Sequence, residues 1–386
     1  MRFIFYSHPT FEPWDWRNPE EPGIGGSETS HIEMAQRLAA DGHEVFSFAP
    51  IPAYDVEVHL KEARFLKPDF IVGPSGVRWA HSDYVDFSLK GIWVLYRHPQ
   101  LVDQIPKEGN SIWLICQDAY YDSLTAERAA KFDRIVALCR DQADFFKARY
   151  KSGAAAVCQS SNGIKAPTLE SIKRNPKRMM YASSPDRGLN ELLTVYERVK
   201  ELVPEAELHV FYGFDNIEKY IARDTTDKAY ADYLKRQRDV TLQKMERLGV
   251  EWHGRTGQSK LAIEWLKSGL WVHPSDFQET SCITCMDAQA LGAIPITTPI
   301  WAVRENVKHG IFIEGSPRKD PMIRAQYVWQ TFHMLLDEQR QEEIRKPMMP
   351  WAREQFHWSR FVRQWEEWAQ ADTVNRSYAR AEEVTA

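Results

Sequence analysis

The chain has 386 residues, 43% of them hydrophobic and 27% charged, enough for two or three domains with real cores. Lysine and arginine total 49 against 54 acidic residues, and the net charge of −5 argues against a nucleic-acid surface. No apolar run reaches the ~20 residues of a membrane-spanning helix. Five sparse cysteines without framework spacing point to a reducing compartment, so a cytoplasmic location is expected.

The chain opens on a short β-rich run, "MRFIFYS", too short an apolar stretch for a signal peptide. A loop rich in Gly and Pro follows, then "SETSHIEMAQRLAADGHEVFSFAP". There Ile32, Ala35, Leu38 and Ala39 recur at helical spacing, Gly42 stops the helix, and "EVFSFA" reads as a strand. This is a β-loop-α-β unit within fifty residues. Further apolar runs, "DFIVGP", "IWVLYR", "SIWLIC" and "RIVALC", alternate with polar or helical stretches, which predicts a parallel sheet covered by helices.

The polar segment "NGIKAPTLESIKRNPKR" reads as a linker, after which the pattern restarts. The strands "MMYASS", "ELHVFYG", "VEWHG", "LWVHPS" and "IPITT" alternate with the helices "GLNELLTVYERVKELVP", "SKLAIEWLKSG" and "CMDAQALG". The charged stretch from about 216 to 248 reads as a solvated helix or helix pair. Near the end, Phe356, Trp358, Phe361, Trp365 and Trp368 lie close to one helical face. Basic residues do not dominate the opposite face, which favours packing on the protein over a membrane surface. The expected domains are 1–163, completed by 352–386, and 164–351.

Open α/β sheets bind ligands at loops beyond the carboxyl ends of their strands, and three such loops stand out. "GIGGSE" fails the dinucleotide fingerprint, because Glu28 occupies the third glycine's place. It still puts Gly25 and Gly26 at a helix start whose amides can hold a phosphate, although a capped turn explains it equally. In "SSPDRGLNELL", Ser183 and Ser184 precede Arg187, so a cation and helix-start amides can meet one anion. In "HPSDFQETSCITCMDAQALGAIPITT", Glu279 and Asp287 form an E-x7-D pair around Thr280, Ser281 and Cys282, with a helix expected from about 281. The "CITC" pair lacks a second pair or a nearby His, so packing is expected there and no metal.

Taken together, these segments resemble the family-4-type retaining glycosyltransferases of the GT-B fold, and the resemblance covers nearly the whole chain. "GGSETSHIEMAQRLAADGHEV" is similar to that family's first loop and helix, and "SSNGIK" to its "PNGVD" segment. "PDRGLNELLTVYERVKELVPEAELHVFYG" resembles its "KG…LL" helix and strand. "HPSDFQETSCITCMDAQALGAIPITT" resembles its "PS…E…EAxAxGxPVI" segment, and "AREQFHWSRFVRQWEEW" its closing helix.

The resemblance implies two Rossmann-like domains facing across a cleft, with the closing helix crossing back to the first. It implies transfer of a sugar from a nucleoside diphosphate sugar, with retention of configuration and no metal or other cofactor. The acceptor would be a glycan, a lipid-linked species or a small molecule, which leaves room for peripheral contact with the inner membrane face. Glu279 would take the sugar hydroxyls, Asp287 the ribose where the family has Glu, and Arg187 the diphosphate in place of the usual Lys. Ser183, Ser184, Thr280, Ser281, Cys282, Gly25 and Gly26 would complete the donor contacts. The family's "GR" cation is missing from "MMYASS", and Arg255 in "HGRT" is a candidate substitute. The family's "HD" reads Gln117–Asp118 here, and His98 is a candidate replacement imidazole. Trp14, Trp16 and Asp118 are candidates for the acceptor side, the two indoles being equally open to simple packing. A nucleotide-sugar epimerase of the same fold and a catalytically lapsed nucleotide-sugar-binding module remain as alternatives. The base, the sugar, the linkage and the oligomeric state are left open.

Overall fold

In a computed structural model the chain divides into two units. Described here are all residues except 9–11, 53–69, 166, 168–171, 223–226 and 386, so parts of the first loop, the linker and the charged stretch lie outside the described residues. Unit 1 comprises Met1–Pro19, Ile24–Gly163 and His357–Ala386, and unit 2 comprises Glu20–Gly23 and Ile164–Phe356.

Unit 1 is built on eight strands: β1 (Arg2–Ser7), β2 (Glu44–Ala49), β3 (Ile71–Val72), β4 (Arg78–His81), β5 (Ile92–Tyr96), β6 (Ser111–Ile115), β7 (Arg134–Ala137) and β8 (Val157–Gln159). Their order is β3-β4-β2-β1-β5-β6-β7-β8, parallel except for β3 against β4. The order reverses between β1 and β5, the crevice where α/β sheets bind ligands. Helices α1 (Gly26–Ala40), α2 (Ala126–Ala129) and α3 (Arg140–Arg149) connect the strands. As the spacing predicts, Ile32, Ala35 and Leu38 turn the buried face of α1 to the sheet, and Gly42 ends the turn at φ +87°.

Unit 2 repeats the plan with six parallel strands: β9 (Asn175–Tyr181), β10 (Glu207–Phe211), β11 (Glu251–Gly254), β12 (Ser268–His273), β13 (Ile294–Thr297) and β14 (Ile311–Phe312). Their order is β11-β10-β9-β12-β13-β14, so β9 and β12 are central neighbours. The helices are α4 (Leu189–Leu202), α5 (Asp215–Ala222), α6 (Lys228–Arg247), α7 (Gln258–Lys267), α8 (Ile283–Leu291), α9 (Ala302–Asn306), α10 (Pro321–Leu336) and α11 (Glu338–Gln355). The expected helix pair in the charged stretch is α5 and α6. One departure concerns α8: it starts at Ile283 with Cys282 as its cap, so Thr280 and Ser281 sit in the loop ahead of it and not at the helix start.

The last helix, α12 (Trp358–Thr385), returns to unit 1. Trp358, Phe361, Val362 and Trp365 join Phe3, Phe5 and Trp113 in one core cluster. Burial of that kind stabilises by about 1.5–3 kcal/mol for each large apolar side chain. Asp372 anchors the helix polar side, accepting from Trp113 Nε1 at 2.8 Å and from Arg134 Nη2 at 2.6 Å. The aromatic face is therefore core, while Phe356 falls before the helix and packs with Ile164 and Met286 of unit 2. Among the described residues no helix is long and apolar enough to cross a membrane.

Candidate functional site

The carboxyl ends of β9 and β12 place the second and third candidate loops side by side within unit 2. After β9 the chain makes a short 3-10 turn over Pro185–Arg187, capped by Ser184. The Ser184 carbonyl accepts from Tyr181 Oη at 2.7 Å and from the Arg187 amide at 2.9 Å, which fixes the turn to its strand. Gly188 then adopts φ +102°, and a Cβ there would lie 2.5 Å from the Pro274 carbonyl oxygen just beyond β12. Only glycine lets the two loops approach this closely.

The approach brings charges together. Arg187 Nε lies 3.7 Å from Glu279 Oε1, and its guanidinium carbon sits 3.1 Å from the centre of the Phe277 ring. Ser183 Oγ lies 3.2 Å from Thr284 Oγ1 in the first turn of α8, tying the same loops a second time. Asp276 in the β12 loop holds Ser316 Oγ at 2.5 Å. Of the residues singled out from sequence, Ser183, Ser184, Arg187 and Glu279 thus share one place. Thr280, Ser281 and Cys282 lead from it into α8. Thr280 and Cys282 are buried, and the buried Ser281 hydroxyl has no hydrogen-bond partner among the described residues.

Two carboxyls here are enclosed. The Glu279 side chain is 18% exposed, and burial pushes its pKa up to about 7, against the downward pull of Arg187 and with Asp186 adding to the rise. Asp287, on α8, is pushed up to about 7 by burial alone, and it makes no hydrogen bond or ion pair among the described residues. At the end of β12, burial with Arg187 nearby lowers His273 to about 3, so its imidazole is neutral near pH 7. Cys282 and Cys285 are free and buried in one core cluster, in keeping with packing, and burial pushes the Cys285 thiol well up. Arg255 follows β11 and its Nη1 lies 3.7 Å from Asp215 Oδ2.

Unit 1 carries its own polar constellation at the ends of β1, β5 and β6. Gly25 caps α1 and its carbonyl accepts from the Thr29 amide at 3.0 Å; Gly26 is the first helical residue. Glu28, one turn in, meets Arg97 Nη1 at 3.3 Å, and Arg97 Nε meets Asp118 Oδ2 at 3.2 Å. Arg97 holds φ +67°, a left-handed backbone that costs a non-glycine residue and is kept where surroundings over-determine it. His98 stands beside His8 at a ring distance of 5.1 Å. Burial lowers its pKa to about 4, with His8 and Arg97 adding to the effect. Gln117 pairs its amide with Asn162 at 3.2–3.3 Å.

The acceptor candidates divide. Trp14 is 1% exposed, packed edge-on against His31 and Trp79 in the unit 1 core, and offers no ring face to a ligand. Its assignment to an acceptor is therefore corrected to core packing. Trp16 is partly buried against Trp79 with Arg17 over its ring. Arg97 and Phe277 were not singled out from sequence. The available signal was position: Arg97 directly follows the strand in "IWVLYR", and Phe277 lies in the loop beyond the strand end in "HPSDF".

No family model matches the sequence, and no curated protein matches it. Solved structures do match. Sucrose-phosphate synthase from Thermosynechococcus elongatus superposes with a TM-score of 0.65 at 13% identity, over 97% of this chain and 99% of that one. The catalytic domain of starch synthase IV from Arabidopsis thaliana, bound to ADP and acarbose, gives 0.63 at 12% identity over 96% and 98%. A TarM mutant from S. aureus, in complex with fondaparinux, alpha-GlcNAc-glycerol and UDP, gives 0.54 at 12% identity. That match takes in 72% of this chain, which spans only 55% of TarM. These neighbours are GT-B glycosyltransferases, and the likeness establishes the fold: GT-B, with two Rossmann-like domains.

Proposed function

We propose that this chain is a glycosyltransferase of the family-4 type, moving a sugar from a nucleoside diphosphate sugar to a glycan, lipid-linked or small-molecule hydroxyl. The observation that carries the reading is the Arg187–Glu279 pair at the ends of adjacent central strands, with Asp287, which has no hydrogen bond or ion pair among the described residues, on the helix that follows. Arg187 and the Ser183–Ser184 turn suit the diphosphate, whose negative charge grows as the glycosidic bond breaks. Glu279 suits the sugar hydroxyls and stands near the positive charge that develops on the ring. Asp287 suits the ribose. Retention follows if a donor phosphate oxygen assists the acceptor on the same face, and arginine in place of a metal follows from the same charge balance. Neighbours crystallised with UDP and with ADP support a diphosphate donor without choosing the base.

The test is thermal unfolding against UDP, GDP, TDP and ADP and their common sugars, followed by donor turnover with and without acceptor. A ligand at 100 times its dissociation constant stabilises by about 2.7 kcal/mol. A shift confined to one base and its sugars supports the reading, and no shift with any of them overturns it. Adding Mg2+ or Mn2+ to metal-free protein is expected to leave turnover unchanged.

The pKa values near 7 of Glu279 and Asp287 also suit proton transfer, which favours an epimerase as the second reading. Donor sugar isomerised in the absence of acceptor would select it. Binding without turnover of either kind would select a lapsed binding module.

A further inference from the structure

At one edge of the unit 2 sheet β10 and β11 run parallel, with His209 opposite Glu251. The register shifts between Val210 and Phe211, which leaves His253 unpaired in the ladder with its ring beside His209. His209 Nδ1 lies 3.0 Å from His253 Nε2 and 3.5 Å from Glu251 Oε2, and all three potential ligand atoms fall within 4.8 Å of one another. We propose that His209, Glu251 and His253 form a binding site for a divalent transition-metal ion, zinc being the ion this donor set suits best.

Tetrahedral zinc with bonds near 2.0–2.2 Å holds its ligand atoms roughly 3.3–3.5 Å apart, and the two separations found here bracket that range. Two histidines and one glutamate, with water in the fourth position, are an established zinc donor set. On the far side of the His209 ring, Nε2 lies 3.5 Å from Glu207 Oε2, an ion-pair contact and not a hydrogen bond, with the carboxylate on the side from which it would orient a metal-ligating histidine. The His253 ring lies flat on Phe211, 4.2 Å between centres and 4° between planes, and is parallel within 8° to His209. Arg178 is close enough to His209 to oppose a cation, but it is ion-paired to Glu264.

The consequence is mechanical. β11 is an edge strand whose carboxyl end leads into Arg255, and a bound ion would staple it to β10. The competing account of the same geometry is a hydrogen bond between two neutral imidazoles, which binds no metal.

Full-length protein, stripped with EDTA and dialysed, is titrated with zinc chloride by calorimetry and with cobalt chloride by visible absorption. The expected result is one equivalent of zinc and an intense tetrahedral cobalt spectrum. His253→Ala, at an exposed position that leaves the fold intact by circular dichroism, weakens zinc at least tenfold. Glu207→Gln, which touches no ion directly, weakens it by about tenfold. Zinc bound equally well by wild type and His253→Ala, or not bound by wild type, overturns the proposal.

Discussion

Arg187 and Glu279 face each other at 3.7 Å from loops after strands that neighbour in the sheet but end ninety-two residues apart in the chain. The pair is longer than a hydrogen bond, and Phe277 stacks on the guanidinium from the third side. Neither charge is cancelled at contact distance, which leaves both polar groups with capacity for a ligand.

Replacing Glu279 tests that capacity directly. Glu279→Ala should lower donor turnover by at least about 100-fold, the scale of two charged hydrogen bonds lost. Its melting temperature should stay at or above wild type, because an enclosed carboxyl is removed. Wild-type turnover from a folded sample would sink the assignment.

Arg187→Met should act on two readouts. Affinity for a nucleoside diphosphate should fall by about 1.5–3 kcal/mol through the lost charge-assisted bonds. Arg187 also pulls the Glu279 pKa down, so its removal should move the Glu279 midpoint in the pH–rate profile above about 7. A midpoint that stays in place would mean the two groups do not sense each other.

Stability should depend on pH through Glu279 and Asp287. Their carboxyls titrate near 4 when unfolded and near 7 when folded, so the native state holds more protons between those values. Stability from these groups is complete below pH 4, declines as pH rises to about 7, and is level above it. Asp287→Asn should flatten part of that decline in melting temperature measured from pH 4 to 8. An unchanged slope would show that Asp287 is solvated. The same variant should weaken donor binding by roughly 1–3 kcal/mol if the carboxylate holds the ribose.

Gly188→Ala places a Cβ 2.5 Å from the Pro274 oxygen in a left-handed residue. Destabilisation of roughly 1–3 kcal/mol is expected in urea unfolding, together with weakened nucleotide binding as the Arg187 turn shifts. A neutral result would show that the two loops can separate freely.

Much of the architecture was legible because strands and helices repeat with periods of two and 3.6 residues. "MRFIFYS", the Ile32–Ala35–Leu38 helix and "EVFSFA" became β1, α1 and β2 almost residue for residue. The start of α8 was not, since Thr280 and Ser281 have helix-cap chemistry but the chain stays in an irregular, bent loop up to Cys282. Trp14 could not be placed because an indole looks alike in sequence whether it packs or binds; its partners His31 and Trp79 come from elsewhere in the chain. Arg97 acquires its setting only when Glu28 arrives from the first turn of α1 and Asp118 from beyond the end of β6. The His209–Glu251–His253 cluster was invisible for the same reason, as forty-four residues separate its two histidines and only strand pairing unites them.

The return of α12 to unit 1 has a bearing on synthesis. The sheet begun at Arg2 keeps an open apolar flank, with Phe3, Phe5 and Trp113 uncovered by Trp358 and Trp365, until the ribosome has translated all of unit 2. Unit 2 is complete by then. Most of unit 1 precedes unit 2 in the chain yet closes after it, and its Arg134 and Trp113 wait for Asp372.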